Sequence, residues 1–586
     1  STFTLLKTAP TRWATFSTDG LSYDMQYFTA DFETTADDLT RTRVWAWAAC
    51  TLKTYDITTG TSIEGFVEWC ERAPDARVYF HNLKFDGKFI ISHLLDAGWE
   101  WIPSHGEQAP FRFTTLISDM NQFYTIKLCF GRGHYIEFCD SLKIISLPVA
   151  KIPKAFGFEE EDAKLEIDYT GHRDPDHVLT QQEIDYISAD VRIVARALGE
   201  LIDQGATRIT AGSNAIAEYK KTIGGEKGFR RTFPVCDYDA EIRPCYKGGF
   251  TYVNPDFKGR DIGEGIVLDV NSLYPSVMAG VGGEILPYGD PVLFEGEYEP
   301  DRRYPLYIQT VTVDFKLKPG FIPCLQLKGN LSFMPTEYVV DSKGEQTLVL
   351  TSVDLALLRD HYDIYSIRYG KGWKFKASNK LFYDFIMAAN EEKVHAAEEG
   401  NAGKRYMAKL KMNSSYGKMA THPVKRSRRP VMCEDGIVRY PLLEPEETDG
   451  MYLPAGAFIT AWARNKTIRS AQRVKDRFLY ADTDSLHLAG TEVPEELDVD
   501  DYRLGAWKLE STFERARFIR PKTYIEDEGG KLTVHCAGLP ESCHPHVTWD
   551  NFHAGAKFPG KLYPKTVKGG IILYEGDFVI RKETGL

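Results

Sequence analysis

Arg477-Phe-Leu-Tyr-Ala-Asp482-Thr483-Asp484-Ser-Leu-His-Leu488 sets a tight acidic tip between two apolar flanks. The pattern predicts a β-hairpin with Asp482-Thr483-Asp484 at or beside its turn. In an extended chain, residues i and i+2 share a face, so both carboxylates are expected to point the same way. Two such charges repel and raise each other's pKa unless a cation lies between them. A hard divalent ion with oxygen ligands neutralises the pair, and a pair of such ions can clamp the attacking and leaving oxygens of a phosphoryl transfer. By itself, Asp-Thr-Asp also fits an ordinary solvated turn. The rest of the chain has to decide.

At 586 residues the chain is long enough for roughly four domains, or fewer large ones. Its 43% hydrophobic and 26% charged residues are those of a folded soluble protein. No apolar run approaches the ~20 residues of a membrane span, and residues 1–18 lack the cationic start and apolar core of a signal peptide. The expectation is an intracellular protein, not secreted and not membrane-bound. The 10 cysteines show no Cys-x-x-Cys spacing, as reduced and buried thiols do. His535-Cys536 and Cys543-His544-x-His546 offer zinc-type ligands, but a structural zinc draws on two separated pairs, and one turn would have to supply all of these. A formal charge of −12 argues against nucleic acid when averaged. The charge is uneven, however. Basic clusters at Lys425/Arg426/Arg428/Arg429, Arg515/Arg517/Arg520/Lys522 and Lys561/Lys565/Lys568 stand against acidic runs at 159–162 and 492–501. One cationic channel in an acidic body suits a protein that grips phosphates in one groove.

Three further carboxylate motifs precede these. Tyr27-Phe-Thr-Ala-Asp31-Phe-Glu33-Thr34 is a β-prone run with Asp31 and Glu33 on one face. Arg77-Val-Tyr-Phe-His-Asn82-Leu-Lys-Phe85-Asp86 runs from a strand into a polar turn. Thr180-Gln-Gln-Glu183 reads as a capping box opening a helix with an Ile184/Ile187/Val191/Val194 stripe. On that helix Tyr186 and Asp190 lie one turn apart. A strand pair, a loop carboxylate and a helix carboxylate with a nearby Tyr could converge on two metal ions.

In order and chemistry these pieces resemble the three exonuclease motifs of family B DNA polymerases. The resemblance implies that Asp31, Glu33, Asp86 and Asp190 hold two metals that hydrolyse a 3′-terminal phosphodiester. Tyr186 would position the scissile phosphate or the attacking water, and Lys164 would assist. Thr34, Asn82, Phe85, Ser141 and Leu142 would hold the single-stranded 3′ end, with Phe85 stacking on bases.

The polymerase motifs follow in order. Tyr246-Lys247-Gly248-Gly249 matches a segment that links the two activities and contacts the template. The usual form there has Arg, so Lys247 keeps the charge but loses bidentate geometry. Gly265-Ile-Val-Leu-Asp269-Val270-Asn-Ser-Leu-Tyr274-Pro is a buried-type strand. The resemblance makes Asp269, with Val270, a metal site beside Asp482 and Asp484, with Asp269 and Asp482 as the principal pair. Tyr274 would lie against the sugar of the incoming nucleotide. Arg405, Lys409 and Asn413 recur every four residues on one helix face. By resemblance these cations meet the triphosphate, while Asn413 and Tyr416 shape the nucleotide pocket. Thr460-x-x-x-Arg464 matches a primer-template contact, and Lys522-Thr-Tyr524 a primer-strand clamp.

The gap from Asp269 to Asn413 is too long for a connection and must hold structure of its own. It contains a strand-like run at 304–315 and a helix-like one at 353–361. With a second gap near 421–451, it coincides with the two insertions that mark protein-primed members of the family. The first meets the priming protein there, and the second helps encircle DNA. The expected architecture is α+β and multidomain: a ribonuclease-H-like 3′-5′ exonuclease (1–210), then a right-hand polymerase. The latter divides into palm (211–280 and 453–538), first insertion (281–378), fingers (379–420), second insertion (421–452) and thumb (539–586). The expected activity is replicative, protein-primed, processive and strand-displacing DNA synthesis with proofreading. It would use two Mg²⁺ per site, with Mn²⁺ as a substitute. Partners would be primer-template and single-stranded DNA, dNTPs and a terminal protein, for a monomer in the cytoplasm of a phage-infected bacterium. The rival readings are a family B polymerase primed by ordinary nucleic acid and a non-catalytic DNA-binding protein of the same fold.

Overall fold

Alternating apolar residues at 26–34 and 76–80 and the near-continuous apolar run at 44–51 produce buried strands, and these build the first of two large sheets. The structure, a computed structural model, describes residues 25–131, 133–158, 172–327 and 338–582. The N-terminal sheet has eight strands. Gln26–Thr34 pairs in parallel with Ala76–Phe80, which pairs in parallel with His134–Asp140. Antiparallel strands flank this centre, with Val44–Thr51 beside the first strand and Phe123–Gly131 beside the last. Helix Leu83–Asp96 lies on one face and helix Gln181–Asp203 on the other, each over its own apolar cluster. The capping box forms as expected: Thr180 Oγ1 accepts the Glu183 N–H, and Glu183 accepts the Thr180 N–H at 2.9 Å. Thr29 Oγ1 donates to the Val191 carbonyl (2.7 Å), pinning the Asp190 helix to the Asp31 strand.

The second large sheet has five antiparallel strands in the order Trp507–Phe513, Gly265–Val270, Ser485–Ala489, Phe478–Asp482 and Thr251–Val253. Helix Leu453–Arg473 crosses beneath it. Its first half is buried all round, whereas from Trp462 onward one stripe (Trp462, Asn465, Lys466, Arg469 and Arg473) is only partly buried or exposed. Between the first two motifs of this sheet the chain forms a separate four-stranded sheet, with Leu306–Leu317 at its centre and helix Ser352–His361 against it. Both elements fall where the sequence placed them. Helices Tyr383–Glu398 and Ala402–Ser414 pack side by side above. The run at 421–452 forms two small ladders, 424–425 with 446–447 and 431–432 with 438–439. A long C-terminal hairpin, Lys557–Val567 with Gly570–Val579, completes the chain.

The hairpin tip reaches back to the N-terminal domain. The Thr42 N–H donates to the Lys568 carbonyl (3.0 Å), and Ile571 joins the apolar cluster under the N-terminal sheet. A Cβ on Gly570 would lie 2.6 Å from the Phe89 ring, so only glycine permits this approach.

Candidate active site

Asp269 and Asp484 meet because their strands are neighbours. Asp269 is in register with Ser485, and the Val270 N–H donates to the Asp484 carbonyl at 2.8 Å. Burial, then Asp484 and Glu510, push the Asp269 carboxyl up to about 7. Burial and the Asp482 charge likewise hold Asp484 above the usual carboxylate range.

The expected hairpin is present, with Asp482 paired to Ser485, but its tip departs from period two. Thr483 has a φ of 60°, and the Asp484 N–H donates to the Asp482 carbonyl at 2.7 Å. This is a γ-turn of the positive-φ form, which is rare and strained. A β-branched residue at positive φ is itself an outlier. Its neighbours hold the strain: the Thr483 N–H donates to Phe250 O (2.7 Å), and Thr467 Oγ1 donates to Thr483 O (2.7 Å). The turn therefore separates the two aspartates. Both Asp482 carboxylate oxygens accept from Lys522 Nζ at 2.8 Å, and Tyr480 and Thr251 donate to the same group. The partner of Asp269 is Asp484, not Asp482, and Lys522 grips the hairpin itself.

Gly249 explains the paired glycines. A Cβ there would lie 2.5 Å from Thr483 Oγ1, so the loop carrying Tyr246 and Lys247 closes directly on the strained turn. Arg464, expected on DNA, is buried and holds this loop from beneath. Its Nη1 donates to the Lys247 and Gly248 carbonyls (2.8 and 3.0 Å), and its Nη2 pairs with Asp354 at 2.8 Å. Thr460 is buried too, and its hydroxyl is spent on the Gly456 and Ala457 carbonyls. Both side chains serve the scaffold because they lie with Thr467 and Ala471 on the core-facing side of their helix. Tyr524 lies in an aromatic cluster, stacked on His535 at 4.5 Å.

Tyr274 and Tyr416 stack face to face at 4.0 Å, and burial raises both phenols above their ordinary range. Arg405, Lys409 and Asn413 lie exposed along one side of their helix. A third cation joins them from the neighbouring helix: burial, then Arg405 and Lys409, depress the Lys393 ammonium. Neither Lys393 nor Glu510 stood out in the sequence. Lys393 follows no motif, and Glu510 sits in a strand whose exposed half alternates ordinary charges.

In the N-terminal domain, Asp31 and Glu33 sit at the end of the first strand, and Asp86 in the first turn of helix Leu83–Asp96. Burial above all, then the Asp31 charge and more weakly Glu33, hold Asp86 well above its ordinary range. Its Oδ1 is buried without a hydrogen-bond partner. Tyr186 and Asp190 are both buried on the helix pinned beside them. Asn82 takes a left-handed φ of 85°, with its N–H on Asp140 Oδ1 (3.0 Å). Leu142 donates to the same oxygen, and Thr34 and Phe85 are half-buried. Ser141, expected to hold DNA, is fully buried between His81 and the Phe80 carbonyl. Lys164 lies outside the described residues. Asn82, Ser272, Thr483 and Lys522 are four of the nine described non-glycine residues at positive φ, and all four fall in the motifs, where such strain tends to collect.

Among the described residues no three His, Cys, Asp or Glu side chains stand as close together as ligands of one ion. The donor sets still fit a hard cation. In each pocket burial and a neighbouring carboxylate raise one member, Asp269 beside Asp484 and Asp86 beside Asp31; Asp86 has an orphaned buried oxygen, and oxygen donors suit Mg²⁺.

Known proteins resemble this chain in sequence and in fold. The family model described as "DNA polymerase type B, organellar and viral" matches residues 72–501. The DNA polymerase of Bacillus phage Nf is 42% identical over 582 residues, covering 94% of this chain and 99% of that one. The structure of phi29 DNA polymerase with primer-template DNA and incoming nucleotide superposes with a TM-score of 0.87 at 40% identity, over 95% of this chain and all of that one (100%). The same polymerase with single-stranded DNA gives a TM-score of 0.88 at 39% identity and equal coverage. With the exonuclease-plus-right-hand architecture of those relatives, this chain belongs to the type B DNA polymerases, among the phage replication enzymes of the phi29 kind.

Proposed function

We propose that the chain carries two separate metal-dependent sites, a polymerase centre at Asp269/Asp484 and a 3′-5′ proofreading exonuclease at Asp31, Glu33, Asp86 and Asp190. The observation that carries the reading is the Asp269–Asp484 pair, two carboxylates from remote parts of the chain facing each other with their pKa values raised. Two Mg²⁺, or Mn²⁺ in their place, would be held there by Asp269, Asp484 and the Val270 backbone; when bound they lower the pKa of a primer hydroxyl and neutralise pyrophosphate. The protein's own groups do the rest. Lys393, Arg405 and Lys409 receive the triphosphate of a dNTP, while the stacked Tyr274 and Tyr416 floor the pocket against the sugar, with Asn413 at its rim. Tyr246, Lys247 and Gly248 face the template, and Tyr524 the primer strand. The relatives bound to primer-template and single-stranded DNA support these assignments.

In the exonuclease, Thr34, Asn82, Phe85 and Leu142 would hold a frayed 3′ end, Tyr186 would orient the scissile phosphate, and Lys164 would assist. The two insertions support protein priming, in which a terminal protein offers the first hydroxyl, and processive, strand-displacing synthesis by a monomer in the host cytoplasm. The test separates the sites. On a primed circular template with Mg²⁺, Asp484→Ala should abolish extension, by 10³-fold or more on the scale of lost transition-state charge stabilisation (~4 kcal/mol), and leave single-strand degradation intact. Asp86→Ala should do the reverse. A single variant that silences both would refute the two-site reading.

A further inference from the structure

The strand Trp507–Phe513 closes the edge of the palm sheet beside Gly265–Val270. Along it Lys508 lies directly across from Asp269, Leu509 across from Leu268, and Ser511 across from Val267. Glu510 is thus the extra residue of a β-bulge, two positions beyond the residue that faces Asp269. Cross-strand partners share a face of a sheet, and bulges next to active sites re-aim side chains. Lys508 Nζ lies 3.5 Å from Glu510 Oε2, with side chains 40% and 56% exposed. The two act on Asp269 in opposite senses, Glu510 raising its pKa and Lys508 lowering it. On the other side of Asp269 stands Ser485, next to Asp484. The face therefore runs from the hairpin turn through Asp269 to a cation and a third carboxylate.

We propose that Lys508 is a positioning residue of the polymerase site: its ammonium holds the bulged Glu510 beside Asp269 and is the resident counter-charge that an entering divalent cation displaces. This rests on the reading of Asp269 and Asp484 as the cation site. A half-exposed ion pair is weak, so it yields readily to an ion of twice the charge. An ammonium across the strand from a bound dication opposes it, so occupancy by the cation is set partly by Lys508.

The test reads metal binding, not catalysis. Mn²⁺ affinity is measured from the free-ion electron paramagnetic resonance signal, without DNA or nucleotide. The full chain carries Asp31→Ala and Asp86→Ala, so that the exonuclease site does not contribute. Lys508→Gln should bind Mn²⁺ roughly tenfold more tightly, the Coulomb effect of removing one charge about 6 Å away in a water-like dielectric. Lys508→Arg should keep the parent affinity, since it keeps the charge. An unchanged or weaker affinity in Lys508→Gln would overturn the proposal, as would Lys508→Arg behaving like Lys508→Gln. Asp269→Asn in the same background should abolish binding. If binding survives that change, the cation-site reading falls and this proposal with it; if only the Lys508 variants fail, the role of Lys508 falls alone.

Discussion

The most strained residue of the site is also the one on which its geometry turns. Thr483 at positive φ bends the hairpin so that Asp484 faces Asp269 while Asp482 turns to Lys522. A regular two-residue turn built on Asn-Gly would relieve the strain but would not separate the aspartates in this way. The turn survives because Gly249, Phe250 and Thr467 hold it from three sides. Gly249→Ala is therefore a test at this scale. A methyl 2.5 Å from Thr483 Oγ1 must push either the turn or the Tyr246 loop, and a displacement of about 1 Å can cost on the order of 10²-fold in rate. Primer extension should fall by that order while exonuclease activity on single strands is kept. An unaffected polymerase would show that the turn has room to shift.

Among the elements, helix Gln181–Asp203 carries Tyr186 and Asp190, and its first turn decides how firmly they are held. Glu183 is buried, which works against its charge, yet the Thr180 N–H, His177 and Arg173 together lower its carboxyl to about 2. A depressed carboxylate contributes its stability above its unfolded value, here 4.5, and loses it as pH falls toward about 2. Glu183→Ala should thus destabilise the protein by about 1–2 kcal/mol at neutral pH, the scale of a lost helix cap. The gap from the parent should narrow below pH 4.5. Urea unfolding at pH 7 and pH 3 measures both, and a pH-independent difference would place the effect in packing and not in charge.

Across the whole molecule, the tip of the C-terminal hairpin, the ladders of 421–452 and the N-terminal domain meet around one buried lysine. Lys88 Nζ donates to Thr566 Oγ1 (2.7 Å) in the hairpin and lies 5.8 Å from the ring centre of Tyr440, which follows the ladder strand 438–439. Burial lowers its pKa to about 8. A hydroxyl and a ring face repay only part of the desolvation of an ammonium. Lys88→Met should accordingly tighten the contact and stabilise the chain by about 1 kcal/mol, within the range seen when buried charges are replaced by apolar side chains. Gly570→Ala, which drives a methyl into the Phe89 ring, should loosen it. Thermal unfolding ranks the three proteins, and a destabilised Lys88→Met would show that the lysine holds the junction instead of weakening it.

What the sequence determined by itself was the set of parts and their order. Local rules suffice for these: a hairpin at an acidic tip, a capping box ahead of an apolar stripe, cations every four residues on a helix. The elements at 304–315, 353–361 and 478–488 formed where periodicity placed them. Tertiary structure decided which parts face which. Whether Asp482 or Asp484 meets Asp269 depends on one positive φ, stabilised by residues more than two hundred positions away. Arg464 and Thr460 look like exposed polar groups in one dimension and are buried, because they fall on the side of their helix that packs against the core. Lys393, Glu510 and Lys508 gain their meaning only from the neighbouring helix or strand. Spacing along the chain sets the period of a face, but only packing chooses what that face meets.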